Sequence, residues 1–77
     1  MNISVMLFGS LAEAAGKSQL EIKDVLDTET LKLKLLGDFP KLEKYKFVIA
    51  VCKHVVKANT ILHEGDTVAL LPPFAGG

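Results

Sequence analysis

The first eight residues alternate. Ile3, Val5 and Leu7 fall on one side of an extended chain and Asn2, Ser4 and Met6 on the other. This is the period of a half-buried strand ending near Phe8. Gly9-Ser10 breaks it, with Ser10 placed to cap a short helix over Leu11 to Ala15 and Gly16 placed to close it. Leu20 and Ile22 mark a second strand reaching Lys23, with Gln19 and Glu21 toward water. A single short helical turn separates the two strands, which predicts an antiparallel pair. Leu31, Leu35 and Leu36 then recur at helical spacing behind a cap at Asp27 or Thr28, with Leu33 beside Leu36 and Lys32 and Lys34 outward. Gly37 suits the left-handed position past the helix end, and Pro40 prevents easy continuation.

Leu42 to Lys46 reads as a charged connection, and Phe47 to Cys52 as an apolar run of strand length in the sheet interior. Val55-Val56 is a short strand. Thr60-Ile61-Leu62 packs before a turn at Glu64-Gly65-Asp66, and Thr67 to Leu71 is the last strand. One main helix plus a short helix against a mixed sheet of four to five strands is an α+β roll. With the first and last strands as central parallel neighbours, it is a ubiquitin-like β-grasp. Residues 1–71 form this domain and residues 72–77 an extended C-terminal tail; there is no internal repeat.

Composition narrows the function. The 77 residues suffice for one core, and 49% of them are apolar. Nine lysines balance nine acidic residues and there is no arginine, a poor match to a nucleic-acid binder. No apolar run approaches the roughly 18 residues of a membrane span, and the start is not a secretory signal. Cys52 is the lone cysteine, so it forms no internal disulfide and builds no cysteine-based metal site. A cytoplasmic protein is expected.

The candidate chemistry lies in the last six residues, Pro72-Pro73-Phe74-Ala75-Gly76-Gly77. The paired prolines cannot donate ladder hydrogen bonds and favour an extended, semi-rigid arm. Fully extended, six residues reach about 20 Å. The two glycines carry no Cβ to hinder passage through a narrow channel. Such an arm is suited to delivering the Gly77 carboxylate into another protein's pocket. A carboxylate is ionised in the cell and is a poor electrophile. It must first become a better acyl donor, such as an acyl-adenylate made from ATP. The chain has no Gly-rich phosphate loop for a nucleotide, so a separate activating enzyme is implied and no cofactor is expected on this chain.

At these residues the sequence resembles the molybdopterin synthase small subunit family. The likeness covers nearly the whole chain and is strongest over Leu62 to Gly77, where Gly65-Asp66-Thr67-Val68-Ala69 leads into Pro72-Pro73 and Gly76-Gly77. It is weaker at Phe8-Gly9-Ser10-Leu11, with Glu13 and Gly16, and at Ala50-Val51. The resemblance implies a β-grasp whose C-terminal glycine is adenylated by a ubiquitin-activating-type adenylyltransferase and converted to a thiocarboxylate. It implies insertion into a large catalytic subunit, within a heterotetramer, where sulfur passes to cyclic pyranopterin monophosphate. Gly77 would take the sulfur-bearing role and Gly76 that of its slender neighbour. Phe74 and the prolines match the family's tail anchor. Two departures stand out: Ala12 where the family commonly has Arg, and Cys52 where it commonly has Asn.

Other residues read as structural. Cys52, ending an apolar strand, is expected to be a small buried hydrophobe. His54 and His63 are expected in surface loops, and Lys41, Lys44 and Lys46, interrupted by Glu43, on a solvated face. Glu64 and Asp66 flank a glycine and suit turn chemistry. Leu71, Phe74 and Phe8, with Pro72, Pro73 and Ala75, are the candidate partner contacts. Three further functions share the glycine pair or the fold: a sulfur carrier for thiamine thiazole or tRNA thiolation, a protein modifier forming isopeptide bonds through Gly77, and an interaction domain with an inert tail.

Overall fold

The computed structural model describes residues 2–73. Eight elements follow one another: β1 (Asn2–Leu7), α1 (Ser10–Ala15), β2 (Gln19–Lys23), α2 (Thr28–Asp38), a 3₁₀ turn (Pro40–Lys44), β3 (Val48–Val51), β4 (His54–Val56) and β5 (Thr67–Leu71). The strands form one sheet in the order β2-β1-β5-β3-β4. β1 and β5 are parallel neighbours at its centre, while β1–β2, β3–β5 and β3–β4 are antiparallel. The expected mixed sheet with central first and last strands is therefore present.

The helices cover one sheet face. Ile3, Val5 and Leu7 of β1 and Val68 and Leu70 of β5 are buried there with Leu11, Leu31, Leu35 and Leu42. Across the central pair Val5 stands opposite Val68 and Leu7 opposite Leu70. Directly opposed side chains share a face, so register and hydrophobic pattern agree.

Several expectations change. Leu33 is 71% exposed. At about 100° per residue it lies some 200° from both Leu31 and Leu35, on the far side of the helix. Gly37 does not terminate α2, which runs on to Asp38. The stop comes from Phe39, pushed out of helical geometry ahead of Pro40; its N–H still donates to the Leu35 carbonyl. The charged connection contains a buried anchor, Leu42, carried by the 3₁₀ turn. Ser10 is the first residue of α1 and not its cap. The cap position is Gly9, and no side chain bonds the helix start.

The start of α2 is tied to a distant loop. Asp27 accepts from the Thr30 N–H, while the Asn59 side-chain oxygen accepts from the Glu29 N–H and the Thr28 hydroxyl. The Asn59 amide reaches back to Asp27, and the Thr28 hydroxyl accepts from the Thr60 N–H. Two side chains thus satisfy helix N–H groups that have no partner within the helix. Donors from Thr30, side chain first and backbone second, and then from Asn59 hold the Asp27 carboxyl below the usual aspartate value.

Candidate functional site

The parallel pairing of β1 with β5 brings their carboxyl ends to the same edge of the domain. The pairing runs to Leu7 opposite Leu70, and the Phe8 N–H then donates to the Leu70 carbonyl at 3.2 Å. Leu71 is held on its other side by Val48 of β3. Beyond it the chain leaves the sheet at Pro72, which cannot donate to a ladder. The tail therefore departs from the centre of the sheet, beside the turn that follows β1.

That turn is shaped for the departing chain. Gly9 has φ 57° and ψ −131°. Side chains of L-residues rarely tolerate such angles. A Cβ at this position would stand 3.1 Å from Cγ of Pro72. Absence of a side chain at Gly9 thus serves two purposes, turning β1 into α1 and leaving room for the base of the tail.

The sheet face opposite the helices supplies a surface around this exit. Met6, Ala69, Ala50 and Val55 stand opposite one another across β1, β5, β3 and β4. One row further on, Leu71 faces Val48, with Phe8 following β1. Phe8 is 40% exposed and Val55 56%, while Met6, Val48, Ala69 and Leu71 are half-buried. Away from the tail the same face turns polar, with Ser4 opposite Thr67 and Glu21. An apolar patch at the foot of the tail is the composition expected of a docking surface. Of its members the sequence reading named Phe8 and Leu71. Met6, Val48, Val55 and Ala69 were missed; the available signal was that Met6 and Ala69 put apolar side chains at alternate, water-facing strand positions.

The other sequence candidates take ordinary places. Cys52 is exposed, contrary to the expectation of burial. Cys52 and Lys53 have φ 48° and 74° and form the two-residue turn between β3 and β4, so the strand ends at Val51. Positive φ at both turn residues matches the twist of a hairpin. The Cys52 thiol lies 3.6 Å from an Asp66 carboxylate oxygen and so reaches the neighbouring turn. Asp66 also accepts from the His63 N–H, a turn role, while Glu64 accepts from the Asn2 N–H and so ties the turn to the start of β1. His63 is exposed; His54 is also exposed but sits in strand β4 and not in a loop. Lys41, Lys44 and Lys46 are exposed, and Ala12 packs half-buried against the core. Among the described residues no three His, Cys, Asp or Glu side chains cluster as metal ligands, and no helix is long and apolar enough to cross a membrane. Phe74, Ala75, Gly76 and Gly77 lie outside the described residues.

A mixed sheet with parallel first and last strands, crossed on one face by a single main helix, defines a ubiquitin-like β-grasp protein. The fold closely matches the solution structure of small archaeal modifier protein 1 from Methanosarcina acetivorans, with a TM-score of 0.84 at 24% identity over 99% of this chain and 96% of that one. The ThiS family model matches residues 5–77, and the chain belongs to that family. It is 28% identical, over 100% of its own length and 99% of the relative's, to the molybdopterin synthase sulfur carrier subunit of Mycobacterium tuberculosis. It also matches a chain in the complex of subunits 1 and 2 of the molybdopterin-converting factor from Helicobacter pylori 26695, with a TM-score of 0.75, 29% identity and full coverage of both chains.

Proposed function

We propose that this chain is the sulfur-carrying subunit of a molybdopterin synthase. The observation that carries the reading is the exit of Pro72 and Pro73 from the central strand, beside Gly9 and an apolar sheet face, in a chain matched along its whole length by a molybdopterin synthase sulfur carrier subunit. In this reading a ubiquitin-activating-type adenylyltransferase docks on the face of Phe8, Leu71 and their neighbours. It transfers AMP from ATP to the Gly77 carboxylate and releases pyrophosphate. A sulfur nucleophile supplied from elsewhere then displaces AMP, leaving a thiocarboxylate. The same face next docks on the large subunit, with Phe74 and Ala75 lining the path and Gly76 slim enough to enter its active site. There the thiocarboxylate sulfur bonds to a carbon of cyclic pyranopterin monophosphate, water cleaves the acyl–sulfur bond, and Gly77 returns to the carboxylate.

The division of labour follows from the residues. The body of the domain supplies the docking surface, while ATP binding and acid–base groups belong to the partners. The reading places the chain in the cytoplasm, with two small subunits at opposite ends of a large-subunit dimer.

Deleting Gly77 tests it. The truncated chain is expected to keep its circular dichroism spectrum and lose all sulfur transfer. Intact-mass spectrometry of the full chain, incubated with the activating enzyme, ATP and a sulfur source, is expected to show a gain of about 16 Da, one oxygen replaced by sulfur through acyl chemistry. Undiminished transfer by the truncated chain would refute the reading. Capture of a thiazole synthase in place of the large subunit would move the chain to the thiamine pathway, and ladders of lysine adducts would make it a protein modifier.

A further inference from the structure

A second surface lies on the opposite side of the sheet from the patch at the tail. A helix about 10 Å wide covers two to three strands spaced about 4.8 Å apart, and this sheet has five. α2 and its neighbours bury β1 and β5 fully, but at the other end Phe47, Ile49, Val51 and Val56 remain only half-buried. Two adjoining depressions result, of about 300 and 480 Å³, with Lys32 and Phe47 as their shared wall. Phe47, Ile49 and Val56 supply apolar lining to the first, and Leu36, Tyr45 and Phe47 to the second.

The rim is charged. Lys32, Lys46 and Lys57 line the two depressions, as do Glu29 and Glu43. Lys32 holds its ammonium 5.9 Å from the centre of the Phe47 ring. The wider charge distribution is lopsided although the chain is neutral. Residues 41–57 hold five lysines against the single Glu43, a net charge of +4, so the remainder carries −4. Of this stretch Lys46 and Lys57 reach the groove, where with Lys32 they outnumber Glu29 and Glu43, and a field of that sign favours an acidic partner.

The edge of the groove is β4, the outermost strand. Its hairpin has two turn residues, and Val51 and His54 close it as an opposed pair. In a two-residue hairpin the closing pair is hydrogen-bonded, so the next pair, Ala50 and Val55, is not. The Val55 N–H and C=O therefore point away from β3, toward any strand laid alongside.

We propose that this groove binds an extended segment of a partner protein, laid along the free edge of β4, whose alternate, groove-facing residues are apolar in the middle and acidic at the two ends. Its apolar side chains would cover Phe47, Ile49 and Val56, and its carboxylates would meet Lys32 and Lys57. This is strand addition to an open edge, with main-chain bonds for affinity and charge for selection. The site meets the tail-side surface only at Val55, lies apart from Phe8 and Leu71, and does not depend on the chemistry of Gly77.

The test is an amide-shift titration of the ¹⁵N-labelled full chain with an eight-residue peptide whose alternate positions read Asp, Val, Ile and Glu, with Thr at the four positions between. Saturable shifts are expected at Phe47 to Ile49 and Val55 to Ala58. They should be unchanged in the chain lacking Gly77, and absent when lysines replace the peptide's acids. The double variant Lys32→Glu, Lys57→Glu changes two exposed side chains and is expected to weaken binding about tenfold with the fold intact. No saturable shift at millimolar peptide, shifts confined to Met6, Phe8 and Leu71, or full binding by the double variant would overturn the proposal. So would dilution-dependent shifts of the same amides without peptide, which would assign the groove to a second copy of this chain.

Discussion

Gly9 and Pro72, from opposite ends of the chain, lie so close that a Cβ on Gly9 would stand 3.1 Å from Cγ of Pro72. The contact joins the turn after β1 to the base of the tail. Gly9→Ala would force an L-residue to φ 57° and push Pro72 away. Holding a non-glycine residue in such a region costs on the order of 1–3 kcal/mol. Urea denaturation is expected to show a loss of that size. Sulfur transfer should fall further than the loss of folded protein explains, because the tail leaves in a changed direction.

Phe8 exposes 40% of its surface on the face where Leu71 and Val48 meet. Its removal leaves the core on the other face untouched. Phe8→Ala is expected to change the unfolding midpoint little and to weaken binding of the large subunit tenfold or more, the usual effect of deleting an aromatic anchor. Isothermal titration with the purified large subunit would measure it.

Asn59 bonds both the Glu29 N–H and the Thr28 hydroxyl, and donates to Asp27. Asn59→Ala removes a cap supplied from outside the helix and is expected to cost about 1 kcal/mol. The Asp27 carboxyl titrates below its usual value in the folded chain, because Thr30 and then Asn59 bond its ionised form. A depressed folded value means the unfolded chain takes up the proton first. The contribution is complete above about pH 4, the unfolded value, and is lost as pH falls through the folded one. Stability measured against pH should show this acid-side loss, and Asp27→Asn, which can still cap, should flatten it.

Gly37 sits inside α2, with open space where a Cβ would be and no positive φ. Gly37→Ala is expected to stabilise the chain by about 0.5–1 kcal/mol through the lower entropy of the unfolded state. Thermal unfolding would detect it; a loss of stability would mean that α2 does not accept a side chain at this position.

Many residues whose role depends on near neighbours in sequence were read correctly. Val5 and Leu7, Leu31 and Leu35, and Gly16 in the left-handed position all follow local periodicity or local backbone geometry. Some errors were local, at Ser10, Leu33 and Gly37; the others arose where a second element decided the outcome. Leu42 looked like part of a charged loop, yet a core far from it in sequence buries it completely. Cys52 looked like the end of an apolar strand, yet the hairpin into β4 takes it out to solvent. Asn59 gave no sign of its capping role, because the helix it caps begins thirty residues earlier.

The order of elements, the alternation that gives each strand a core side, and the proline–glycine tail are all written in the chain, because each depends on the chemistry of adjacent residues. Which apolar residues on the far side of the strands assemble into a surface, and that Gly9 makes room for Pro72, depends on β1 and β5 pairing in parallel with one particular register. Such pairing brings together residues with no local relation to one another, so packing alone sets their neighbours and their exposure.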